Sequence, residues 1–400
     1  MRILHITTIP MSLTFLRGQV GYMKARGFEV HALSSPGADL DAFGAQEAVA
    51  VHAVEMPRRI TPLRDLIAVT RIARAIRRIR PTIVHAHTPK GGLLGMIAAW
   101  IAHAPVRIYH MRGLPLAGAH GWRRRLLQAT EWTACRLAHV VICVSRSVRD
   151  EAIRANVCDA RRIRVLAGGS GNGVDATGRF AAARLPAHTR EHVRSAHGIP
   201  TDAVVVGFVG RIVRDKGIVE LASAFQELRR TRPHLHLLLV GPMEEQDPIP
   251  AATAGFLRSD THVHLAGMNW DTPPFYLAMD VVALPTYREG FPNVPLEAAA
   301  MGLPVVATRI AGCVDAIEDG RTGLLVEPRD ADALACALQR YVDDPALRRA
   351  HGLAGRRRVM REFQPEVIWN ALYQEYHRLL VLRGYPVTPA SAGAVPRTAV

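Results

Sequence analysis

The chain of 400 residues is 49% hydrophobic and 21% charged, which excludes a disordered chain, and its length predicts two domains of roughly 150 to 200 residues. Its net charge of +15 comes far more from arginine than from lysine and predicts an affinity for phosphate groups, nucleic acid or an anionic membrane. An arginine-rich genome explains the choice of arginine equally well, but it does not explain the excess over aspartate and glutamate.

The cysteines and the N-terminus indicate where the protein works. The five cysteines are scattered and have no CxxC spacing, which favours a reducing compartment and argues against a zinc site. The first residues reach Thr7 and Pro10 too soon for the apolar core of a signal peptide. The longest apolar run, residues 93–102, is about half of the ~20 residues that a membrane-spanning helix needs. We therefore expect a cytoplasmic protein.

Short apolar runs alternate with helical patterns along the chain, which predicts parallel sheets with helices on both faces. The predicted strands of the first half are residues 3–7, 30–34, 83–85, 106–110 and 140–144. Five glycines without apolar periodicity in residues 168–189 indicate a boundary, after which AVVVGFVG, HLLLVG, VHLAG, VVALP, PVVAT and GLLVE predict a second sheet. The predicted division is a first domain at 1–178, a second at 179–366, a C-terminal helix at 367–384 and a flexible tail at 385–400. Two such domains imply a cleft between them.

An acidic segment, Glu289-Gly-Phe-Pro-Asn-Val-Pro-Leu-Glu297, follows the predicted strand VVALP. Open parallel sheets bind ligands at the carboxyl ends of their strands. We predict that Asn293 caps a helix that runs through Glu297 and ends at Gly302, and the N-terminus of such a helix suits a diphosphate. Glu297 would accept hydrogen bonds from ribose hydroxyls and Glu289 from a sugar. The alternative, a helix-dipole partner and a solvated loop acid, is disfavoured by the Gly-Phe-Pro-Asn between them.

A basic segment, GRIVRDKG, follows the predicted strand that ends at Gly210. It forms a second strand-to-helix loop at the same sheet edge. There Arg211 and Lys216 can neutralise a diphosphate and stabilise the charge of a leaving group. Without a family resemblance, ordinary surface cations would be the favoured interpretation of these two residues.

The segment HAHTPKGG, residues 85–92, connects a predicted strand to a helix in the first domain. We predict that His87 and Lys90 contact an acceptor or its pyrophosphate. His85 is interpreted as a buried strand residue, and a packed loop histidine is an equally weighted interpretation of His87.

The segment TYREGFPNVPLEAAAMGLPVVATRIAGCVDAIEDGRTGLLVEP resembles the donor-binding core of family 4 glycosyltransferases, a large retaining group with the GT-B fold. The resemblance continues backwards through VGRIVRDKG, SGNGVD and HTPKGGLLG, so it covers nearly all of the chain up to Tyr385. Within the family, the chain resembles bacterial enzymes that extend capsule, O-antigen or other lipid-linked oligosaccharides. It implies an α/β protein of the GT-B class, with two doubly wound Rossmann-like domains facing across a cleft.

The resemblance also implies an activity of the hexosyltransferase type. A sugar would move with retention from a nucleotide diphosphate donor to a saccharide, lipid-linked in the relatives, and UDP-N-acetylhexosamine is the first choice of donor. Retention implies same-face attack, in which the leaving phosphate helps to remove the acceptor proton. The implied donor-binding residues are Gly210, Arg211, Lys216, Glu289, Gly290, Phe291, Pro292, Asn293, Val294 and Glu297. The implied catalytic residues are Glu289, Arg211, Lys216 and Arg112, and the expected acceptor-side residues are His87, Lys90, His110 and Arg112.

One position departs from the family pattern. Relatives often carry a histidine just before a glycine in the loop after the strand at 106–110, whereas this chain has Arg112 before Gly113, with His110 two residues earlier. The role of the family histidine is therefore unassigned here, and we expect Arg112 to contact phosphate or acceptor.

Two Asp-x-Asp pairs resemble the metal-binding motif of glycosyltransferases with the other major fold. Asp39 and Asp41 are interpreted as part of a polar loop, and Asp330 and Asp332 as a helix cap with an acid in the first turn. No third ligand has suitable spacing. We predict neither a metal nor another cofactor.

Other classes of function fit less well. A nucleotide-sugar epimerase shares the fold but lacks the two spaced glutamates, GGSGNG does not match the dinucleotide-binding spacing, and no P-loop motif is present. A non-catalytic nucleic-acid or membrane binder would explain the charge, but the chain shows no nucleic-acid-binding module, so we predict no nucleic-acid partner.

A basic helix pattern between residues 65 and 80 offers another explanation for the positive charge. Val69, Ile72, Ile76 and Ile79 form an apolar stripe, and Arg71, Arg74, Arg77 and Arg78 face elsewhere. Together with Arg123, Arg124 and Arg125, these arginines predict contact with anionic lipid head groups. A solvated helix face is the alternative.

Overall fold

The computed structural model describes residues 1–116 and 118–386. The chain forms two compact units. The first consists of Met1–Cys143, Ala152–Leu166 and the residues from Trp369 onward, and the second of Val144–Glu151 and Ala167–Ile368. Of the predicted tail, residues 387–400 lie outside the described residues.

The first unit is built on a parallel sheet, which has seven strands within the described residues, in the order β3-β2-β1-β4-β5-β6-β7. The strands are β1 (Arg2–Ile6), β2 (Glu29–Ser34), β3 (Ala50–Ala53), β4 (Ile83–His87), β5 (Val106–Met111), β6 (Val140–Cys143) and β7 (Ile163–Val165). The helices in this part of the chain are α1 (Gln19–Lys24), α2 (Ala38–Glu47), α3 (Pro62–Ile79), α4 (Pro89–Ile101), α5 (Gly121–Leu137) and α6 (Arg146–Arg154), with a 3-10 helix at Pro10–Leu16.

The second unit has a parallel sheet of six strands among the described residues, in the order β10-β9-β8-β11-β12-β13. The strands are β8 (Val204–Val209), β9 (Leu235–Val240), β10 (Val263–Gly267), β11 (Val281–Leu284), β12 (Val305–Thr308) and β13 (Gly323–Val326). The helices in this part of the chain are α7 (Thr189–Ala196), α8 (Ile218–Arg229), α9 (Ala251–Ser259), α10 (Pro273–Ala278), α11 (Asn293–Ala300), α12 (Cys313–Ala316), α13 (Ala331–Asp343) and α14 (Pro345–Glu362). Helix α15 (Pro365–Leu382) begins in the second unit and belongs to the first from Trp369 onward. Short 3-10 helices lie at Ala182–Arg184 and Arg214–Lys216.

The cores follow from sheets that are covered on both faces. Every residue of β9 is buried, as expected for a central parallel strand. In the first unit, the backbone of Gly92 in α4 lies directly against the ring of Tyr109. A Cβ atom at position 92 would come within 2.2 Å of that ring, so only glycine fits there. The predicted α/β class with two doubly wound parallel sheets is confirmed.

Some local predictions need correction. Strands β3 and β7 were missed because they are short and only partly buried. Asp39 and Asp41 do not lie in a polar loop but in the first turn of α2, where carboxylates favour the helix dipole. The predicted cap at Asp330 is confirmed, since its side chain accepts a hydrogen bond from the amide of Ala333. Among the described residues, no helix is both long enough and apolar enough to cross a membrane.

The strand orders define where each sheet can hold a ligand. In the first sheet the order reverses between β1 and β4, and in the second between β8 and β11. Loops at the carboxyl ends of strands diverge at such a switch point and leave a crevice.

Candidate functional site

In the second unit, the basic loop after β8 and the acidic loop after β11 flank the switch point. Gly217 allows their close approach. Its φ is +68°, and a Cβ atom there would lie 2.0 Å from the carbonyl oxygen of Pro285. The backbone amide of Tyr287 also donates to the carbonyl of Asp215, with an N–O distance of 2.9 Å. The two loops are therefore held together by main-chain contacts.

This approach brings two of the predicted residues into contact. The Nζ atom of Lys216 forms an ion pair with Oε1 of Glu289, and both side chains are largely buried, with 21% and 16% exposure. The positive charge of Lys216 and the negative charge of Glu289 neutralise each other at this largely buried position. A diphosphate and a sugar hydroxyl can compete for these same two groups.

Arg211 has a different partner. Its guanidinium lies 2.8 Å from Oε2 of Glu244, in the loop after β9, and its side chain is about half exposed. Sequence reasoning missed Glu244, because no motif surrounds it. Arg211 is thus tethered beside the switch point by a neighbouring loop.

Helix α11 begins one residue earlier than the predicted cap at Asn293 implies. Its N-cap is Pro292, so Asn293 is the first helical residue and not the cap, and the helix ends at Ala300, just before Gly302. No side chain among the described residues accepts a hydrogen bond from its first amide groups. Such an N-terminus suits an anion.

Glu297 lies in the second turn of α11. The hydroxyl of Tyr276, in α10, donates to its Oε2 atom across 2.9 Å. Burial raises the pKa of Glu297 above its ordinary value, while this hydrogen bond and the charge of Arg179 oppose the shift. Tyr276 and Arg179 were missed from the sequence, since nothing local connects them to Glu297.

The residues between the two glutamates are anchored by the rest of the second unit. The hydroxyl of Ser145 donates to the carbonyl oxygen of Gly290 across 2.9 Å. The ring of Phe291 packs on Phe363, with centroids 5.6 Å apart. Pro292 is buried and Val294 packs against the core. Among these predicted donor-binding residues, Phe291 and Val294 therefore also serve the packing of the loop.

In the first unit, four histidines lie on one face of the sheet. The register pairs His5 with His85 and His87 with His110, so the four imidazoles share the face. Nδ1 of His110 lies 3.2 Å from Nε2 of His85, whose Nδ1 lies 2.6 Å from the hydroxyl of Tyr376. Nε2 of His110 is buried and has no hydrogen-bond partner in the described part of the chain.

Arg112 orients a second pair of histidines. Its guanidinium lies 3.4 Å from Nδ1 of His87, and Nε2 of His87 lies 3.0 Å from Nδ1 of His5. Because an arginine can only donate, Nδ1 of His87 accepts, and the proton on its Nε2 is donated to His5.

The charges of this cluster follow from its burial. Burial lowers the pKa of His85, His87 and His110 well below the ordinary value and that of His5 to about 3, and the charge of Arg112 adds to these shifts. Burial also lowers the pKa of Arg112 to about 9. At neutral pH the imidazoles are therefore neutral and Arg112 carries the positive charge.

Lys90 is placed apart from this cluster of contacts. Its Nζ atom lies 2.7 Å from Oδ1 of Asp65 in α3, and both side chains are mostly buried. The acceptor-side assignments of His87, Lys90, His110 and Arg112 thus divide into three residues at the histidine cluster and one in an ion pair.

A metal ion has one candidate site among the described residues. Nitrogen atoms of His5, His85 and His87 lie within 4.8 Å of one another. Neutral imidazoles are suitable ligands. The adjacent guanidinium of Arg112 opposes a divalent cation there, because the two positive charges repel each other in a buried site.

Helix α3 has the apolar stripe that its sequence predicts. Val69, Ile72, Ile76 and Ile79 are buried, and Arg71, Arg74, Arg77 and Arg78 are exposed. The structure adds exposed apolar side chains beside the arginines. Leu63 and Leu66 of α3 are 80% and 63% exposed, and Trp122, next to Arg123, Arg124 and Arg125, is 75% exposed.

Comparison with known proteins adds independent information. A family model described as "Glycosyl transferase 4-like domain" matches residues 13–169, and one described as "Glycosyl transferases group 1" matches residues 203–344. The capsular polysaccharide biosynthesis glycosyltransferase CapM of Staphylococcus aureus is 34% identical over 95% of this chain and 97% of its own length. The chain belongs to the family 4 glycosyltransferases. This membership favours the transferase over the epimerase.

Two further glycosyltransferase comparisons concern a second relative and a solved structure. The UDP-Gal:alpha-D-GlcNAc-diphosphoundecaprenol alpha-1,3-galactosyltransferase of Escherichia coli is 26% identical over 72% of this chain and 74% of its own length. The crystal structure of HepE from Anabaena in complex with UDP-glucose has a TM-score of 0.78 at 22% identity, covering 94% of this chain and 100% of HepE. The second similarity supports the GT-B fold.

Proposed function

We propose that this glycosyltransferase transfers a sugar, with retention, from a UDP-sugar to a lipid-linked saccharide in the synthesis of a cell-surface polysaccharide. UDP-N-acetylhexosamine is the first candidate donor. The observation that carries the proposal is the arrangement at the β8–β11 switch point. Glu289, paired with Lys216, lies in the loop that leads into α11, and Glu297, paired with Tyr276, lies within α11.

The roles of the donor-binding residues follow from their chemistry. The N-terminus of α11, Lys216 and Arg211 would bind the diphosphate and stabilise the negative charge that develops as the nucleoside diphosphate leaves. Glu297, oriented by Tyr276, would accept hydrogen bonds from the ribose, and Glu289 would accept them from the sugar. Gly210 and residues 290–294 would shape the walls of the site.

Retention requires that the acceptor attacks from the face that the leaving group vacates. Both glutamates have other roles in the proposal, so the leaving phosphate would accept the proton of the acceptor. Fixed positive groups around the phosphate would stabilise that transition state without a metal. The names of the S. aureus and E. coli relatives support a polysaccharide pathway and a diphosphate-linked acceptor.

The first domain would bind the acceptor. Arg112 is positively charged beside neutral histidines, which suits the phosphate of a lipid-linked saccharide. The buried Nε2 of His110 has bonding capacity that an acceptor hydroxyl can use. In this assignment residues 1–178 serve the acceptor and residues 179–366 serve the donor.

We also propose that the protein works at the cytoplasmic face of a membrane. Leu63 and Leu66 of α3 and Trp122 of α5 are exposed, and both helices carry exposed arginines. These side chains would combine apolar insertion with attraction to anionic lipids. A lipid-linked acceptor would be reached from such a position.

The decisive experiment has two steps. A panel of nucleotide sugars is first screened for thermal stabilisation, since a ligand at 100 times its dissociation constant adds about 2.7 kcal/mol to the free energy of unfolding. The stabilising donor is then incubated with a diphosphate-linked saccharide, and the anomeric configuration of the product is determined by NMR. Stabilisation by UDP-sugars and a retained configuration are expected. An inverted product would contradict the mechanism, and stabilisation by a different nucleotide would contradict the donor.

A further inference from the structure

An arginine-lined cavity lies at the edge of the first sheet opposite to the histidine cluster. It has a volume of about 260 Å³ and includes Val106 and Val140, the first residues of β5 and β6. Arg161 and Arg164 line it from β7 and the preceding loop, and Arg378 and Arg383 from the end of the chain around α15. The proposed acceptor-side residues His87, His110 and Arg112 lie instead at the carboxyl ends of β4 and β5.

The positive charge of the cavity is poorly compensated. Glu375 is its nearby carboxylate, and it is already engaged by Arg378, whose nitrogens lie 2.6 and 2.8 Å from its two oxygens. Arg164 approaches the same carboxylate only to 3.9 Å. Within the described residues, the guanidinium groups of Arg161 and Arg383 form no ion pair and no hydrogen bond, although the backbone amide of Arg161 donates to Oδ1 of Asp159. Among the residues that the structure describes, only two of the four guanidinium groups, those of Arg378 and Arg164, approach this carboxylate.

Neighbouring arginines show what a structural role looks like here. Nε of Arg107 donates to the carbonyl of Leu137 across 2.8 Å, and Arg162 donates to the carbonyls of Arg136 and Ala138. These two side chains satisfy carbonyl groups at the end of α5. In the part of the chain that the structure describes, the guanidinium groups of Arg161 and Arg383 bond to no such carbonyl, and both side chains are exposed.

His139 contributes a neutral donor to the cavity. Its Nδ1 atom accepts a hydrogen bond from the backbone amide of Arg107 across 3.0 Å, which places the ring proton on Nε2. Burial and the charges of Arg107, Arg383 and Arg162 lower the pKa of His139 to about 4, so the ring stays neutral at neutral pH. A site with several charged donors, one neutral donor and little acceptor capacity matches an anion with many acceptor oxygens.

We propose that this cavity binds a phosphate-bearing ligand, at a site separate from the donor and acceptor sites of the glycosyltransferase. The volume equals that of several water molecules at about 30 Å³ each, which accommodates a phosphate or diphosphate group. Guanidinium groups match phosphate oxygens in geometry as well as in charge.

The test is a calorimetric titration of the full-length protein with inorganic pyrophosphate. The cavity variant Arg161→Gln/Arg383→Gln is compared with Arg340→Gln/Arg349→Gln, which removes the same charge from exposed positions in α13 and α14. Loss of two charge-assisted contacts should weaken the binding at the cavity by about tenfold or more. Because the donor site also offers a place for a diphosphate, we expect two binding events in the wild-type and control proteins and one in the cavity variant.

Two further measurements complete the test. The affinity for UDP reports on the donor site and should be unchanged in the cavity variant, which separates this proposal from the proposed function. A short-chain phosphatidic acid, used as soluble monomers, distinguishes the source of the phosphate. If phosphatidic acid binds more tightly than pyrophosphate, and the cavity substitutions weaken that binding, the natural ligand is a lipid head group. If phosphatidic acid binds more weakly than pyrophosphate, the natural ligand is a free phosphate compound. Equal binding of both phosphate probes by wild-type and cavity-variant protein would overturn the proposal.

Discussion

The hydroxyl of Tyr276 donates a hydrogen bond to Oε2 of Glu297 across 2.9 Å, from a separate helix. The tyrosine is fully buried, so its ring cannot rotate away without disturbing the core. Its hydrogen bond leaves one carboxylate oxygen of Glu297 free to accept from a ligand. A residue outside every recognised motif thus orients the glutamate to which we assign the ribose.

We expect Glu297→Ala to weaken the binding of UDP by about tenfold or more, since charge-assisted hydrogen bonds contribute about 1.5 to 3 kcal/mol. Tyr276→Phe should have a smaller effect in the same direction, because the carboxylate remains but is less well oriented. Titration calorimetry with UDP measures both. Unchanged affinity in Glu297→Ala would refute the ribose assignment.

We expect Lys216→Ala to lower kcat/KM by about 100-fold, the usual loss when a donor that stabilises the transition state is removed. Glu289→Ala should lower kcat more than it weakens the binding of UDP, because its assigned partner is the sugar. Arg214→Ala is the matched control, since Arg214 is exposed two residues from Lys216. If Arg214→Ala lowers kcat/KM as much as Lys216→Ala does, the loss comes from removing a positive charge in this loop and not from a specific role of Lys216.

Chelation should leave transfer intact. In the proposed function, the N-terminus of α11, Lys216 and Arg211 would provide the positive charge that a metal would otherwise supply. Activity is measured after dialysis against EDTA, with the metal content of the protein determined by mass spectrometry. A strict requirement for added magnesium or manganese would contradict this prediction, and stoichiometric zinc would point to the His5–His85–His87 cluster.

If the exposed arginines of α3 and α5, with Leu63, Leu66 and Trp122, contact a membrane as proposed, the protein should bind anionic vesicles in a salt-sensitive way. Each exposed arginine near the surface contributes about 1 kcal/mol of attraction, which is screened over a Debye length of about 10 Å at 0.1 M salt. We expect Leu63→Ser/Leu66→Ser, and a Gln-substituted variant of Arg71, Arg74, Arg77, Arg78 and Arg123–Arg125, to co-sediment less than the native protein.

Leu353→Ser, which changes an exposed leucine of α14, is the control for the membrane experiment. It should sediment like the native protein. Native protein that stays in the supernatant at low salt would rule out this surface as a membrane contact.

We predict that Glu131 makes the stability of the protein depend on pH. Burial raises its pKa from 4.5 to about 7, although the hydroxyl of Tyr109 donates to it across 2.8 Å. Between these two pKa values the unfolded chain has lost the proton that the folded protein keeps, so stability falls as the pH rises through this window. The loss amounts to about 3 kcal/mol, at 1.36 kcal/mol for each pKa unit.

Glu131→Gln should remove this dependence, because a neutral amide still accepts the hydrogen bond of Tyr109. The variant and the native protein should be similarly stable at pH 5, and the variant should be more stable at pH 8. Urea unfolding at both pH values measures the difference. An equal difference at both pH values would mean that Glu131 titrates normally in the folded protein.

Local pattern was enough for much of this protein. All six strands predicted for the second unit are present, because buried parallel strands are continuous apolar runs that can be read without knowledge of their neighbours. The position of Glu289 after a strand and of Glu297 within a helix follows from the same local rules. The start of α11 was misplaced by one residue, because Asn293 and Pro292 are both compatible with a helix start.

The contacts that the candidate site residues make with distant parts of the chain depend on the order of the strands in each sheet. Lys216 meets Glu289, 73 residues away, because β8 lies beside β11, and the histidine cluster forms because β4 lies between β1 and β5. Neither adjacency is written in any segment of the chain, since a parallel strand pairs through backbone groups that all residues share. Residues that act through distant neighbours, such as Tyr276, Glu244 and Ser145, therefore became visible only once the sheets were assembled.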